Sequence, residues 1–351
     1  MTTVDVPHGS RSAVLRISAV IAETADACSL VFEVPEELGE RFAYQPGQFL
    51  TLRIPSERTG SVARCYSLAS SPHTDDRPKV TVKRTADGYA SNWVCDNVKA
   101  GDELEVLPPS GVFTPKDLDE DLLLFAAGSG ITPVMSILKS ALARGGGRLV
   151  LVYANRDAES VIFAAELREL AEKHPQRLVV VHWLETLQGL PSAEALAALA
   201  APYTGHRAFL CGPKAFMDRV HDALAQLGMP RNRTHAEVFT SLSGDPFAES
   251  APAEVSEQEA ADAATVEVEL DGQVHNLRWP RRQTLVDIML AKGIDVPYSC
   301  QEGECGSCAC TILEGKVEMD NCEILDPEDI ESGYILGCQA HPVTDHLKIQ
   351  F

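Results

Sequence analysis

The sequence predicts a multidomain protein with an antiparallel β-barrel, then a doubly wound α/β domain with a parallel sheet, then a small mixed sheet around one helix. The chain has 351 residues, which is too many for a single core of ordinary size. Near residue 120, β-rich runs separated by turns give way to strands that alternate with helices. The final stretch, 265–351, holds six of the ten cysteines, which points to a separate metal-binding domain.

Composition is that of an ordinary folded protein, with 45% hydrophobic and 23% charged residues. The sequence contains neither a run of eighteen apolar residues nor a secretory leader, so we expect a cytoplasmic protein with no membrane partner. The net charge of -21 argues against a nucleic-acid partner, because phosphate binding needs a basic face. For the acidic surface, a solvated face and a docking face both remain open.

Residues 13 to 110 predict the barrel. One helix is expected among its strands, at 89–98, with Gly88 before it and Ser91 in its first turn. Free backbone amides at that helix start suit an anionic group, although an ordinary capped helix explains the pattern as well. Pro, Gly or charged turns separate the β-rich runs, which are 14–20, 29–34, 49–54, 62–70, 80–85 and 103–107.

Residues 121 to 240 predict the parallel sheet. Its first strand runs into Gly128-Ser129-Gly130-Ile131-Thr132-Pro133, whose glycines let backbone approach a pyrophosphate at a helix N-terminus. Pro133 stands where the Rossmann fingerprint has its third glycine, and a tight strand-to-helix turn explains the loop nearly as well. The strands are expected at 121–127, 148–153, 178–184 and 207–211, and the helices at 131–143, 163–174, 192–200 and 214–227.

The segment 244–264 contains six acidic residues and no Lys or Arg, which predicts a flexible, self-repelling linker. Beyond it, alternating apolar residues at 266–270, an Asp-Gly turn and a run at 274–279 predict a hairpin. A helix at 285–291 and strands at 310–314 and 346–351 complete the small mixed sheet.

Four cysteines with intervals of four, two and twenty-nine residues have the plant-type 2Fe-2S spacing. Gly303 and Gly306 allow their loop to turn closely. Zinc ribbons show two Cys-x2-Cys arms, which this segment lacks, and a disulfide knot would require secretion. Cys310 and Cys322 are expected to be small buried side chains. The predicted ligands are Cys300, Cys305, Cys308 and Cys338.

Together these motifs resemble the ferredoxin-NAD(P)H reductase superfamily, in its class with a C-terminal plant-type 2Fe-2S ferredoxin domain. The flavin motif of that family, Arg-x-Tyr-Ser, matches Arg64-Cys65-Tyr66-Ser67-Leu68. The resemblance implies that Arg64 binds the flavin diphosphate, that Tyr66 lies at the isoalloxazine or ribityl region and that Ser67 lies near flavin N5. A guanidinium forks onto phosphate and an aromatic ring packs on a flavin, so these roles are chemically sensible.

Further motifs follow in family order. Gly88 to Ser91 matches a second phosphate site, the loops 128–133 and 211–213 match two nicotinamide dinucleotide loops, and Glu237-Val238-Phe239 matches a terminal element beside the flavin. Taken singly, each motif also has a purely structural explanation, such as a buried thiol at Cys211 or a core ring at Phe239. The resemblance implies catalytic roles for Ser67, Cys211 and Glu237. It implies cofactor binding by Arg64, Tyr66, Ser67, Leu68, Lys83, Gly88, Ser91, Gly128, Gly130, Thr132, Cys211, Gly212, Pro213 and Phe239.

The same resemblance implies the domain plan and the cofactors, which are FAD, NADH and a 2Fe-2S cluster. The choices of FAD over FMN and of NADH over NADPH rest on resemblance alone. Arg156 stands where the family reads the adenosine ribose, and it would suit the 2′-phosphate of NADPH. The plan is an FAD-binding β-barrel domain at 1–115, an NAD(P)-binding α/β domain at 116–243, an acidic linker at 244–264 and a β-grasp 2Fe-2S ferredoxin domain at 265–351.

The implied activity is that of an NADH:acceptor oxidoreductase, the reductase component of a multicomponent monooxygenase, which passes single electrons to a Rieske-type terminal oxygenase. Segments 49–68, 80–93 and 182–192 are most similar to reductases whose oxygenases act on the steroid nucleus. A reductase of similar layout serves the di-iron oxygenase of phenylacetyl-CoA epoxidation, which remains an alternative. A non-enzymatic electron carrier or redox sensor is the alternative from another class. We expect a monomer.

Overall fold

A computed structural model describes residues 12–239, 242, 245–247, 262–270, 272–294, 296–298, 300–322, 324–325 and 327–351. Most of the predicted linker, together with Asp271 of the predicted turn and Ser299 before the cysteine loop, lies outside the described residues. The chain divides into two compact units, Met1–Pro109 with Phe113–Phe239, and Ser110–Val112 with Thr240–Phe351.

The elements up to residue 239 follow the predicted order closely. The strands are β1 (Ala13–Thr24), β2 (Ala27–Glu33), β3 (Phe49–Ser56), β4 (Gly60–Ser67), β5 (Lys79–Lys83), β6 (Glu103–Ser110), β7 (Leu122–Ala127), β8 (Leu149–Asn155), β9 (Leu178–Leu184), β10 (Arg207–Cys211) and β11 (Thr234–Glu237). The helices are α1 (Tyr89–Asn97), α2 (Ile131–Arg144), α3 (Ala164–Lys173), α4 (Glu185–Gln188), α5 (Ala193–Ala200) and α6 (Lys214–Gln226).

Strands β1 to β6 form one curled antiparallel sheet in the order β4-β3-β6-β1-β2-β5. A bridge between Leu68 and Val80 joins the chain just beyond β4 to β5, so the sheet closes on itself. Along β1, Ala13, Leu15 and Ile17 are buried at every second position, as the period of a strand requires. The predicted antiparallel barrel is confirmed.

Strands β7 to β11 form a parallel sheet in the order β11-β10-β7-β8-β9. Strands β7 and β8 are buried along their whole length, because helices cover both faces of the sheet. Helices α2 and α3 pack on one face, and α5 and α6 pack on the other. This confirms the doubly wound α/β domain and adds β11, which was not predicted as a strand of the sheet.

Helix α2 is buried nearly all round, because it packs on the parallel sheet and also contacts the barrel. The Ser136 hydroxyl donates to the Ser70 carbonyl at 2.6 Å, and the Ser71 and Ser140 hydroxyls lie 2.8 Å apart. Lys139 Nζ, which is 5% exposed, lies 2.9 Å from a carboxylate oxygen of Asp75 in the barrel. One helix therefore belongs to the packing of both layers.

The second unit is a mixed sheet around one central helix. Its elements are β12 (Ala264–Leu270), β13 (Gln273–Trp279), α7 (Leu285–Ala291), β14 (Ala309–Glu314), β15 (Val317–Met319), α8 (Pro327–Glu331), β16 (Tyr334–Leu336), β17 (Ala340–Pro342) and β18 (His346–Gln350). Strands β12 and β18 pair in parallel and the other neighbours are antiparallel, in the order β13-β12-β18-β14-β16. Thr284 caps the central helix, α7, through a bond from the Asp287 amide, and the helix packs beside the fully buried Trp279.

This arrangement confirms the predicted β-grasp domain, to which the structure adds β16 and the short pair of β15 with β17. Within the described part of the chain, no helix has both the length and the apolar character needed to cross a membrane.

Candidate functional site

The predicted flavin motif lies at the end of β4, where that strand pairs with β3. Strand alternation places Arg64 and Tyr66 on one face of the sheet and Ser67 on the other. Ser67 and Leu68 are buried, and Arg64 donates to the Ala63 carbonyl at 2.6 Å. Burial raises the pKa of the Tyr66 hydroxyl, so this side chain stays neutral. The motif thus presents one cation and one uncharged aromatic ring on the same face.

The second predicted phosphate site lies at the start of α1. The Ser91 hydroxyl accepts a hydrogen bond from the Thr85 amide at 3.1 Å. The Asn92 side-chain amide donates to the carbonyls of Thr85 and Gly88 at 3.0 and 2.7 Å. These bonds fasten the loop before the helix to its first turn, so the free amides of the helix start are held in place.

Two loops predicted to bind a dinucleotide lie side by side, because β7 and β10 are neighbours in the sheet. A Cβ atom on Gly130 would lie 2.1 Å from the carbonyl oxygen of Cys211, so only glycine fits there. The Tyr153 hydroxyl donates to the Gly128 carbonyl at 3.0 Å, and Thr132 donates to the Ser129 carbonyl at 3.0 Å. The two loops therefore pack backbone against backbone.

The side chain of Lys83, at the end of β5 in the barrel, lies beside the first of these loops. A Cβ atom on Gly128 would lie 3.7 Å from Lys83 Nζ. That amine also lies 3.8 Å from a carboxylate oxygen of Asp26. A cation from the barrel thus stands beside a glycine loop of the parallel sheet.

Cys211 and Glu237 face each other in the parallel register of β10 and β11. Burial raises the pKa of the Cys211 thiol and raises the pKa of Glu237 to about 8, so both stay protonated at neutral pH. Gly212 and Pro213 follow Cys211 and lead into α6. Phe239 is 48% exposed, which rules out the alternative of a core ring. The side chains of Cys211 and Glu237 therefore bring no negative charge to the carboxyl end of this strand pair.

Asn155, at the carboxyl end of β8, was not among the predicted site residues. Its side chain is buried, yet neither its Nδ2 nor its Oδ1 has a hydrogen-bond partner within the described residues. An unpaired buried amide costs about 1–3 kcal/mol, so a polar ligand at this edge would relieve it. Its position after a buried parallel strand was the only sequence signal.

Arg156, which the sequence left open as a 2′-phosphate ligand, is already paired. Its Nε lies 3.0 Å from a carboxylate oxygen of the adjacent Asp157, and its side chain is 65% exposed.

The four predicted cluster ligands come together in the second unit. Backbone amides point at their sulfurs, since Glu302 and Glu304 donate to Cys300 and Cys338 donates to Cys308, each at 3.4 Å. Cys305 also lies within hydrogen-bonding reach of Cys300, whose pKa is lowered by the bonds from Cys305 and Cys338.

The loop geometry suits a compact inorganic group. Gly303 has φ +74°, and a Cβ atom there would lie 2.8 Å from the Asn321 carbonyl oxygen. A binuclear cluster places two thiolates on each iron, so the four gathered thiols and the closely turning loop fit that group.

Gln339 is a further residue that sequence reasoning missed. Its side-chain amide donates to the carbonyls of Gln301 and Cys338 at 2.8 and 2.9 Å and lies 3.5 Å from Cys338 Sγ. Cys310 is buried on β14 as predicted. Cys322 is only partly buried, which corrects the expectation, because it lies in an irregular segment and not on a strand that faces the core.

Three family profiles match the chain. They are described as an oxidoreductase FAD-binding domain at residues 15–114, an oxidoreductase NAD-binding domain at 124–222 and a 2Fe-2S iron-sulfur cluster binding domain at 268–343. The chain is therefore an oxidoreductase whose cofactors are FAD, NADH and a 2Fe-2S cluster.

Relatives match along nearly the whole length. The chain is 77% identical over 351 residues to the 3-ketosteroid-9-alpha-monooxygenase ferredoxin reductase component of Rhodococcus rhodochrous, a match that covers 100% of both chains. It is 33% identical over 353 residues to one component of the 1,2-phenylacetyl-CoA epoxidase of Escherichia coli strain K12, covering 96% of this chain and 97% of that one.

Among solved structures, phthalate dioxygenase reductase, described as a modular structure for electron transfer from pyridine nucleotides to 2Fe-2S, shares the fold. The TM-score is 0.57 at 23% identity, over 99% of this chain and 100% of that chain. Fold, domain profiles and full-length relatives agree, and the chain belongs to the ferredoxin-NAD(P)H reductase superfamily, in its class of monooxygenase reductase components with a C-terminal 2Fe-2S domain.

Proposed function

We propose that this chain is the NADH-dependent reductase component of a 3-ketosteroid 9α-hydroxylase and delivers single electrons to its Rieske-type terminal oxygenase. The observation that carries the proposal is the 77% identity, along the whole chain, to the Rhodococcus rhodochrous component named above. The steroid would contact the oxygenase, so the substrate assignment rests on that relative and on no pocket in this chain.

In the proposed flavin site, Arg64 neutralises the diphosphate of FAD and the amides at Gly88 and Ser91 bind a second phosphate oxygen. Tyr66 packs against the flavin through its aromatic ring. Ser67 and Leu68, whose side chains are buried, would line the same site with their backbone, with Ser67 near flavin N5. Lys83 and Phe239 complete the set of proposed flavin and nucleotide contacts.

In the proposed NADH site, the paired loops hold the dinucleotide through Gly128, Gly130, Thr132, Gly212 and Pro213. Their backbone contact fixes the spacing between the two halves of the ligand. The unpaired amide of Asn155 would gain a partner there.

Cys211 and Glu237 are proposed to act at the hydride-transfer position. Both keep their protons at neutral pH, so neither places a negative charge beside the reacting groups. The bound cofactors supply hydride and single-electron chemistry, and the contribution of the protein is to orient them and to exclude water.

Cys300, Cys305, Cys308 and Cys338 are the proposed ligands of the cluster. Plant-type clusters have potentials near about -400 mV, which hydrogen bonds to the sulfurs adjust. The amides of Glu302, Glu304 and Cys338 supply such bonds.

We further propose the domain limits 1–115, 116–243, 244–264 and 265–351, with the acidic linker as a tether, and a monomer in the cytoplasm. The cytoplasmic assignment is supported by the six cysteines outside the proposed ligand set, none of which forms a disulfide, since a reducing compartment keeps thiols unpaired.

The test is a coupled assay. Anaerobically purified protein is mixed with NADH, a purified 3-ketosteroid 9α-hydroxylase oxygenase and a 3-ketosteroid, and oxygen is then admitted. We expect NADH consumption and 9α-hydroxylated product to rise in near-equal amounts. Rapid reduction of flavin and cluster without steroid product would support the reductase activity and contradict the steroid assignment.

A second acceptor has its own support in the identity to the phenylacetyl-CoA epoxidase component. Product assays with each oxygenase separate the two acceptors. Rapid reduction of the flavin by NADH would exclude a non-enzymatic carrier.

A further inference from the structure

Two thiols of the barrel domain lie against each other. Cys28 lies on β2 and Cys95 in α1, 67 positions apart in the sequence, and their sulfur atoms are 3.5 Å apart. The thiol of Cys28 donates to the sulfur of Cys95. A disulfide has a sulfur separation of about 2.0 Å, so about 1.5 Å of approach would join them.

The two sulfurs are chemically unequal. The hydrogen bond from Cys28 and the charge of Arg84 lower the pKa of the Cys95 thiol, and the same bond raises the pKa of the Cys28 thiol. Cys95 is therefore the nucleophile of the pair and Cys28 the resolving thiol. Both side chains are partly exposed, so a small oxidant can reach them.

Neither cysteine has a part in the proposed function. They are not in the motif Arg64–Leu68, not in the nucleotide loops and not among the four cluster thiols. Cys322, which is partly exposed and is not a proposed cluster ligand, provides a comparison thiol outside the pair.

We propose that Cys28 and Cys95 are a modification site that forms a reversible disulfide with hydrogen peroxide. The Cys95 thiolate attacks one peroxide oxygen, the O–O bond breaks, and sulfenic acid and hydroxide form. The Cys28 thiol then attacks the sulfenic sulfur, the S–O bond breaks and water leaves. In sum, two thiols and one peroxide give one disulfide and two waters, so each sulfur loses one electron and the peroxide gains two.

The bond would tie β2 to α1, the helix whose first turn we assign to a flavin phosphate. The pair lies nearer the other end of that helix, so the cross-link leaves the phosphate position clear and fixes the helix to the sheet.

The test uses the full-length holoprotein, treated with equimolar hydrogen peroxide, alkylated and digested with trypsin without reduction. The two cysteines fall in different tryptic peptides, 17–41 and 85–99, each with a single cysteine. We expect these peptides joined, with a mass lower by two hydrogen atoms, and separated again by dithiothreitol. Finding both peptides alkylated and unjoined after peroxide would overturn the proposal.

Variants assign the roles. In Cys28→Ser, peroxide should leave Cys95 as a sulfenic acid that dimedone traps, whereas in Cys95→Ser dimedone should not label Cys28. Cys322→Ser is the control and should give an unchanged yield of joined peptides. Flavin absorbance and thermal unfolding verify that each variant is folded. Equal dimedone labelling of Cys28 and Cys95 in the two variants would contradict the assignment of the nucleophile.

Discussion

The missing Cβ of Gly130 decides how closely the two nucleotide loops pack. Its backbone lies against the carbonyl of Cys211, which is part of the main chain and cannot rotate away as a side chain would. Any larger residue must therefore separate the loops or shift the ends of β7 and β10.

We predict that Gly130→Ala lowers the free energy of unfolding by about 1–3 kcal/mol, the usual cost of overpacking. It should also slow the reduction of the flavin by NADH, because the loops that hold the dinucleotide move apart. Denaturant unfolding and stopped-flow absorbance measure the two effects.

Gly205→Ala is the matched control, since a Cβ there would meet nothing within 4 Å. It should stay within about 0.5 kcal/mol of the parent protein. An unfolding curve of Gly130→Ala that overlays this control would refute the packing argument.

Gln339 offers a second single-residue test, in the cysteine loop. Its amide donates toward Cys338 and holds the carbonyl of Gln301. Donors near the sulfurs stabilise the more negative reduced cluster, so removing them should make reduction harder.

We predict that Gln339→Met lowers the midpoint potential of the cluster by on the order of 40 mV, which corresponds to one ordinary hydrogen bond. Spectroelectrochemical titration, with the EPR signal as the measure of an intact cluster, gives the value. Gln273→Met makes the same change at an exposed position of β13 and should leave the potential unaltered. Equal midpoint potentials in the two variants would show that Gln339 does not adjust the potential of the cluster.

Helix α2 carries the polar contacts that join it to the barrel. Lys139 Nζ lies 2.9 Å from Asp75 and 3.0 Å from Glu166, so one buried cation serves two carboxylates. Partial burial opposes ionisation of Asp75, but hydrogen bonds from Lys139 and from the Ser71 amide outweigh it and lower the pKa of that carboxyl.

A lowered pKa in the folded state means that ionised Asp75 stabilises the protein above the unfolded-state pKa, near about 4, and that this stabilisation disappears as the pH falls further. We predict that Asp75→Asn costs about 1–3 kcal/mol at neutral pH and that the difference from the parent narrows below about pH 4. Unfolding free energies across the acid range measure this.

Asp76 is the exposed neighbour of Asp75 and provides the comparison. The free energy of unfolding of Asp76→Asn should match that of the parent protein at every pH. A constant difference between Asp75→Asn and the parent, independent of pH, would show that the carboxyl acts through packing alone.

The elements that the sequence predicts well are those with strong local patterns, such as the buried run of β7 or the alternation of β12. Strand β11 was not predicted because its four residues, Thr-His-Ala-Glu, have no apolar period, and only the neighbouring edge of β10 makes it a strand. Motif spacing likewise predicted the four thiols. It could not predict that Gly130 contacts Cys211 or that Gln339 contacts Gln301, since those contacts join segments far apart in the chain.

Across the whole molecule, the proposed path of electrons can be interrupted at the last cofactor. We predict that Cys305→Ser retains reduction of an artificial flavin-level acceptor by NADH and abolishes product formation by the oxygenase, because one cluster ligand is lost. Steady-state assays with the two acceptors separate the steps.

Cys322→Ser removes a partly exposed thiol of the same unit that is not a proposed ligand, and it should keep both activities. Full delivery to the oxygenase by Cys305→Ser would disprove the scheme.

The double role of α2 also bears on how such a chain can be assembled by gene fusion. A recombination point between 115 and 116 would separate Lys139, Ser136 and Ser140 from the barrel groups that they bind. The barrel and the parallel sheet therefore pack as one unit, and we expect an exchange of the terminal redox module to be tolerated beyond residue 239, where that unit ends.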